Sequence, residues 1–241
     1  MLPILQRELS SFFNSLIAYL VMITFLTGVG LFFWVFGDHV LVSREASMAD
    51  LFVVAPWFFL VMVPAVTMRS FAEETRNGTM EWLMSKPVTE WQILLGKYFA
   101  AVLLVIFALI PTLLYYFTLE EIGNPPGNLD DGPVFGAYIG LVFVGAIFCA
   151  IGVFASTLTS NQIVSFIVAC FGCFFFYAVF DFTAELQMFR IINALIMKIG
   201  IIEHYRSISR GVLDTRDLGY FLTIILIFLF LAKTRISIHR R

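Results

Sequence analysis

The residues best equipped for chemistry lie in one polar run, Arg69 to Lys97, which reads RSFAEETRNGTMEWLMSKPVTEWQILLGK. Glu73, Glu74, Arg76 and Glu81 set three carboxylates and a guanidinium within nine residues. Such a mixture can make charge-assisted hydrogen bonds to a partner surface, but it lacks the nucleophile and base of a catalytic set. Gly96 and Lys97 close the run, yet Tyr98 follows where a phosphate-binding loop needs Ser or Thr, and Trp91 stands where its first glycine belongs. The chain is therefore not expected to hydrolyse a nucleotide itself.

Two other sets of reactive residue types are weaker still. His39, His204 and His239 fall in separate segments without companion ligands, which argues against a metal centre or a histidine-based catalytic site. Cys149, Cys170 and Cys173 all sit in apolar runs, and the CxxC of Cys170 and Cys173 in a Phe-rich stretch reads as small packing residues. No catalytic residue, bound cofactor, metal or nucleic-acid partner is expected.

What positions the polar run is a set of membrane spans. Mean hydropathy is +0.93, and 60% of the 241 residues are hydrophobic against 13% charged, values outside the soluble globular range. At about 20 residues per span, roughly six or seven helices fit, leaving no room for a second domain. The first run, Leu16 to Gly37, holds 22 uncharged residues, enough to cross a hydrocarbon core of about 30 Å. Further spans are expected at about 51–68, 98–119, 134–158, 163–180 and 218–232. The second contains Pro56 and Pro64, so neighbours must satisfy the carbonyls those prolines free. Thr89 and Gln92 have capping-box spacing ahead of the third, and Pro111 should bend it. The fourth carries Gly136 and Gly140 in a GxxxG, with Gly145, Cys149 and Gly152 beyond, a face along which helices can approach closely. The last is short at 15 residues, with Lys233 and Arg235 able to snorkel.

Residues 1–15 put Leu2, Leu5, Leu9, Phe12 and Phe13 on one helical face, which fits an amphipathic interfacial helix or, failing that, a frayed terminus. In the region from Gln187 to Asp217, Gln187, Arg190, Asn193, Ala194, Lys198 and Gly200 share one helical arc and Met188, Ile191, Ile192, Leu195, Ile199 and Ile202 the other, too polar to span and too apolar for a plain loop, so an interfacial or re-entrant hairpin is expected. The net charge of −2 says little; the placement of Lys and Arg says more. Arg7, Arg69, Arg76, Lys86, Lys97, Lys233, Arg235, Arg240 and Arg241 collect on one side, which places both termini and the polar run in the cytoplasm. The region after Asp181 then lies outside although it carries Arg190, Lys198, Arg206, Arg210 and Arg216, partly offset by Glu185, Glu203, Asp214 and Asp217. The expected spans hold no internal charge, which disfavours a proton-driven carrier and points to a driving force from another subunit.

Within the polar run the second helix can continue to Asn77 and Gly78, both tolerant of a left-handed C-terminus. Thr79 can then cap a short helix, MEWLMSK, ended by Pro87. Spacing alone would equally admit an ordinary charged loop.

The run FAEETRNGTMEWLMSKPVTEWQILLGKY resembles the signature of ABC-2 type permeases, with Glu73, Glu74, Arg76, Gly78, Thr79, Glu81, Leu83, Pro87, Gly96 and Lys97 matching. The opening QRELSSFFNSLIAYL resembles the family's amphipathic start, with Arg7 and Glu8 in the usual places and Asn14-Ser15 where Ser-Pro is more common. APWFFLVMVPAVTMRSFAEE, GNPPGNLDDG and STLTSNQIVSF are similar to the gliding-motility-associated (GldF-type) permeases of Bacteroidota.

The resemblance implies an all-α polytopic membrane protein of the bacterial inner membrane. It would have six transmembrane helices, an N-terminal interfacial helix, a cytoplasmic coupling helix in 69–97 and external re-entrant helices in 183–217. It implies an export permease, non-catalytic itself, paired with a cytoplasmic ABC ATPase that binds ATP and Mg, and with a second permease copy or related subunit. Glu73, Glu74, Arg76, Gly78, Thr79, Glu81, Trp82, Leu83, Lys86 and Pro87 would form the ATPase-coupling segment, with Trp82 and Leu83 as apolar anchors. Arg190, Lys198, Glu203 and Arg206 would belong to the external region. A membrane anchor that uses ATPase-driven motion without passing a solute needs the same segment, and the residues do not separate the two.

Overall fold

Long uncharged runs have one economical solution in hydrocarbon, the helix that satisfies its own backbone. The computed structural model describes residues 1–36, 47–85, 87–123, 129–185, 197–212 and 214–239. No strand occurs among them, and six helical stretches are long and apolar enough to cross a membrane: Leu16–Trp34, Ala49–Arg76, Glu90–Ile122, Asp131–Leu158, Gln162–Thr183 and Thr215–Ile238. The chain is an all-α polytopic membrane protein. Lys86 and Arg190 lie outside the described residues.

In chain order the helices are α1 (Leu2–Phe13), α2 (Leu16–Trp34), α3 (Ala49–Thr67), α4 (Ala72–Arg76), α5 (Thr79–Met84), α6 (Glu90–Leu109) and α7 (Leu113–Ile122). There follow α8 (Asp131–Leu158), α9 (Gln162–Phe174), α10 (Phe180–Glu185), α11 (Ile201–Ile208) and α12 (Thr215–His239). A 3₁₀ turn over Ile110–Thr112 joins α6 to α7, where Pro111 removes a donor. The Thr89–Gln92 capping box forms at the start of α6, with each side chain bonded to the other's backbone N–H.

Helix α8 is the axle, packed against α3, α6, α9, α11 and α12. Its small residues set the spacing. A Cβ on Gly152 would stand 2.0 Å from Thr67 Oγ1 of α3, and one on Gly145 would stand 2.7 Å from Val105 Cγ1 of α6. Gly136 and Gly140, the expected GxxxG, receive no spanning helix. They seat α11, whose Ile208 carbonyl would lie 2.4 Å from a Cβ at Gly136 and whose Tyr205 ring would lie 2.8 Å from one at Gly140.

Pro56 is accommodated as the chemistry requires. Proline has no N–H to offer the carbonyl four residues back, which belongs to Phe52. The Tyr205 hydroxyl of α11 donates to that oxygen at 2.9 Å, and burial pushes this hydroxyl well above its ordinary pKa, so it stays a donor.

Three boundaries differ from the sequence-based expectation. Helix α12 runs 25 residues, so the expected 15-residue span is the middle of a longer helix that includes Asp217, Lys233 and Arg235. Asp181 does not end the fifth span, because the helix passes through a π turn at Phe175–Val179 and on to Glu185. Lys97, one residue outside the expected span of 98–119, lies well inside α6, the helix that the Thr89 capping box starts. Charged groups therefore do occur near the ends of spanning helices, and each must be met by a partner.

Candidate functional site

The second span carries on from Thr67 through a turn at 68–71 into α4 and stops at Asn77. Gly78 then takes φ +68°, a left-handed conformation that glycine adopts without steric cost. It reverses the chain into α5 as that helix's N-cap. Thr79 is the first residue of α5 and does not cap it. Its hydroxyl donates back to the Glu74 carbonyl at 3.3 Å and closes the α4–α5 corner.

At this corner the structure brings together side chains from three distant parts of the sequence. The Lys97 ammonium, at 2% exposure the most enclosed charge among the described residues, donates to Glu8 Oε1 of α1 at 2.9 Å and to Glu74 Oε1 of α4 at 3.0 Å. Arg7 Nη2 stands 3.7 Å from the same Glu74 oxygen, and the Phe71 ring lies under the ammonium at 5.2 Å. The charges balance: two cations face two carboxylates. Buried ions survive only when paired and hydrogen-bonded in this way.

Gly96 explains how α1 reaches the site. A Cβ there would come within 2.9 Å of Ile4 Cγ2 and 3.5 Å of the Leu5 backbone nitrogen, so only glycine lets α1 press against α6. The inward stripe of α1 is Ile4, Glu8 and Phe12, one residue every fourth position. A carboxylate in the middle of an otherwise apolar i, i+4 row was the signal that Glu8 faces a partner.

The expected coupling residues divide into two groups. Arg76, Gly78, Thr79, Glu81 and Pro87 are exposed, and Trp82 is 60% exposed. Glu73 is half-buried, whereas Glu74 is buried in the tie to Lys97. Leu83 is corrected as an anchor. It is 5% exposed and packed into the chain's own core, because α5 lays one face against the bundle and presents Glu81 and Trp82 on the other. Sequence reasoning placed Lys97 among the charges of a loop, and missed that it is the residue where α1, α4 and α6 meet.

At the opposite end of α8, α11 is amphipathic, with Ile201, Ile202, Tyr205 and Ile208 buried and Glu203 and Arg206 exposed, whereas most of the amphipathic helix expected over Gln187 to Ile202 lies outside the described residues. Arg206 bonds both Asp181 oxygens at 3.3 Å. His204 Nδ1 lies 2.7 Å from Asp217 Oδ1 and its Nε2 lies 2.9 Å from the Lys198 carbonyl, while the Tyr220 ring stacks on it at 3.8 Å. Of the basic residues that looked out of place in the sequence, Arg206 is the one met by a carboxylate in these contacts. No group of His, Cys, Asp and Glu among the described residues has the geometry of a metal site.

Comparison with protein families matches residues 46–237, well over half of the chain, to the ABC-2 family transporter protein. A search of curated proteins returns no match. The chain belongs to the ABC-2 transporter family as a membrane-embedded permease, a family in which ATP hydrolysis is generally the work of a partner ABC ATPase.

Proposed function

We propose that the chain is the permease subunit of an ATP-driven ABC-2 export complex, energised by a separate cytoplasmic ATPase that docks on the exposed side of α4 and α5. The observation that carries this reading is the Lys97 tie. A polar helix pair held only by apolar contacts could slide over the bundle, but Glu74 is bonded to an ammonium that also holds Glu8. A push on α5 therefore reaches α6 and α1 together. Trp82 and Glu81 give the partner an aromatic anchor beside a charge, the composition of an interface hot spot.

Arg7, Arg69, Arg76 and Lys97 gather around α4, and the sequence count of basic residues adds Lys233 and Arg235 to the same side, which supports its lying in the cytoplasm with both termini, in the inner membrane of a bacterium. ATP and Mg would sit on the ATPase, and a second permease copy or a related subunit would complete the complex. The likeness of three segments to gliding-motility permeases supports a place in gliding or envelope secretion. An assembly that moves envelope proteins without passing a solute would use the same coupling.

The test is copurification with the ATPase and stimulation of its hydrolysis. Trp82→Ala and Glu81→Arg should weaken ATPase retention about 30-fold, the effect of losing one hot spot of about 2 kcal/mol. Retention and stimulation equal to wild type in both variants would remove α5 as the dock.

A further inference from the structure

A cavity of about 320 Å³ lies between α1, the start of α2, the end of α3 and α4. Its walls include Arg7, Glu8, Arg69, Ser70, Glu73 and Glu74. Arg69 Nε, Ser70 Oγ and Glu74 Oε2 are enclosed there without a hydrogen-bond partner, although Ser70 is only 5% and Glu74 only 8% exposed. Enclosed polar atoms left unbonded carry a desolvation cost that no contact offsets, so a site that holds three calls for a polar ligand. Lys97 also lines the cavity but is already engaged by Glu8 and Glu74.

The cavity does not stop at the polar end. Ala65 forms part of its wall and also part of a second hollow, a groove of about 620 Å³ between α2 and α3. That groove is almost wholly apolar, bounded by Leu20, Phe32, Trp57, Phe58 and Val61, and it faces outward on the spanning surface, with Leu20 57% and Val61 58% exposed. From Ala65 to Val54 it follows α3 for about 16 Å at 1.5 Å per residue. A polar cavity that adjoins a long apolar groove at Ala65 has the outline of an amphiphile.

Charge selects which one. Arg7, Arg69 and Lys97 are balanced by Glu8, Glu73 and Glu74, so a purely anionic headgroup would meet as much repulsion as attraction. A headgroup carrying both signs fits: its phosphate beside Arg69 Nε and Ser70 Oγ, its cation beside Glu73 and Glu74 Oε2. The cation must also be a donor, because Glu74 Oε2 needs an N–H, which a primary ammonium has and a quaternary one lacks. We propose that the cavity and groove together hold one bilayer phospholipid with an ethanolamine headgroup, its acyl chain lying between α2 and α3.

Native mass spectrometry of the full chain in detergent tests this directly. Phosphatidylethanolamine, phosphatidylglycerol and phosphatidylcholine with identical acyl chains are titrated in turn. The ethanolamine lipid should be retained about tenfold better than either other lipid, the effect of one charge-assisted hydrogen bond. Ala65→Phe, which closes the junction of cavity and groove, and Arg69→Gln, which removes the cation, should each reduce retention to the level of phosphatidylglycerol. Equal retention of all three lipids, preference for phosphatidylglycerol, or an ethanolamine preference that persists in both variants would overturn the proposal. Lipid retention is read without the ATPase, so the outcome is independent of whether α5 is its dock.

Discussion

The two ends of the bundle solve the same problem in different ways. At the α4 end, one ammonium ties residues of three helices at once, reaching 89 positions back to Glu8 and 23 back to Glu74. At the α11 end, the ionic contacts join residues 13 and 25 positions apart, His204 with Asp217 and Arg206 with Asp181. The first end is a hub through which displacement of one helix is felt by two others. The second is a set of separate pairs, none sharing a charge with another, that hold an amphipathic segment against the spans. A rigid hub suits a place where force enters; separable clasps suit a segment that can shift independently.

This contrast breaks most sharply at Lys97. Lys97→Met leaves Glu8 without its cation and Glu74 with only the half-exposed Arg7 at 3.7 Å, a loss of about 3–5 kcal/mol, readable as a large fall in the thermal unfolding midpoint in detergent. Combining it with Glu8→Gln and Glu74→Gln removes the stranded charges and should restore most of the stability, while stimulation of the ATPase stays low. Recovery of both would reduce the hub to a structural feature.

At the other end His204→Phe keeps the stacking on Tyr220 but removes two hydrogen bonds. It should cost about 1–3 kcal/mol, confined to faster hydrogen exchange over residues 198–208 with ATPase stimulation intact. Gly136→Ala drives a Cβ to 2.4 Å from the Ile208 carbonyl and should release α11 at a cost of about 1–3 kcal/mol, with the same local exchange signature. A change in ATPase coupling from either would show that the two ends are linked. The smallest effect is expected at Gly78→Ala, where nothing lies within 4 Å of the added Cβ. Only the left-handed backbone resists, by about 1–2 kcal/mol, seen as a slight fall in midpoint together with weaker ATPase retention as α5 turns.

Spans were legible in the sequence because hydrocarbon imposes length and apolarity on each of them separately. The capping box at Thr89 and the bend at Pro111 were legible because they are local. What could not be read was pairing across distance. Nothing in the periodicity of α6 says that Lys97 will meet Glu8, and GxxxG at Gly136 says that something approaches closely but not that it is α11. Lys97 and Asp217 each fell one residue outside an expected span, because span edges were drawn where charge begins, and charge met by a buried partner can lie inside. Leu83 was misassigned for a related reason: a helix of six residues has too few turns for its buried face to be told from its exposed one.

The Tyr205 hydroxyl on the Phe52 carbonyl bears on how the protein is made. Pro56 leaves that oxygen without a helical donor, and the group that completes it lies 153 residues later in the chain. During synthesis α3 enters the bilayer with a bare acceptor at its core-facing side, and among the described residues no earlier side chain donates to it. The span is finished only when α11 docks, so the last amphipathic segment serves as the point at which the membrane domain closes as a single unit.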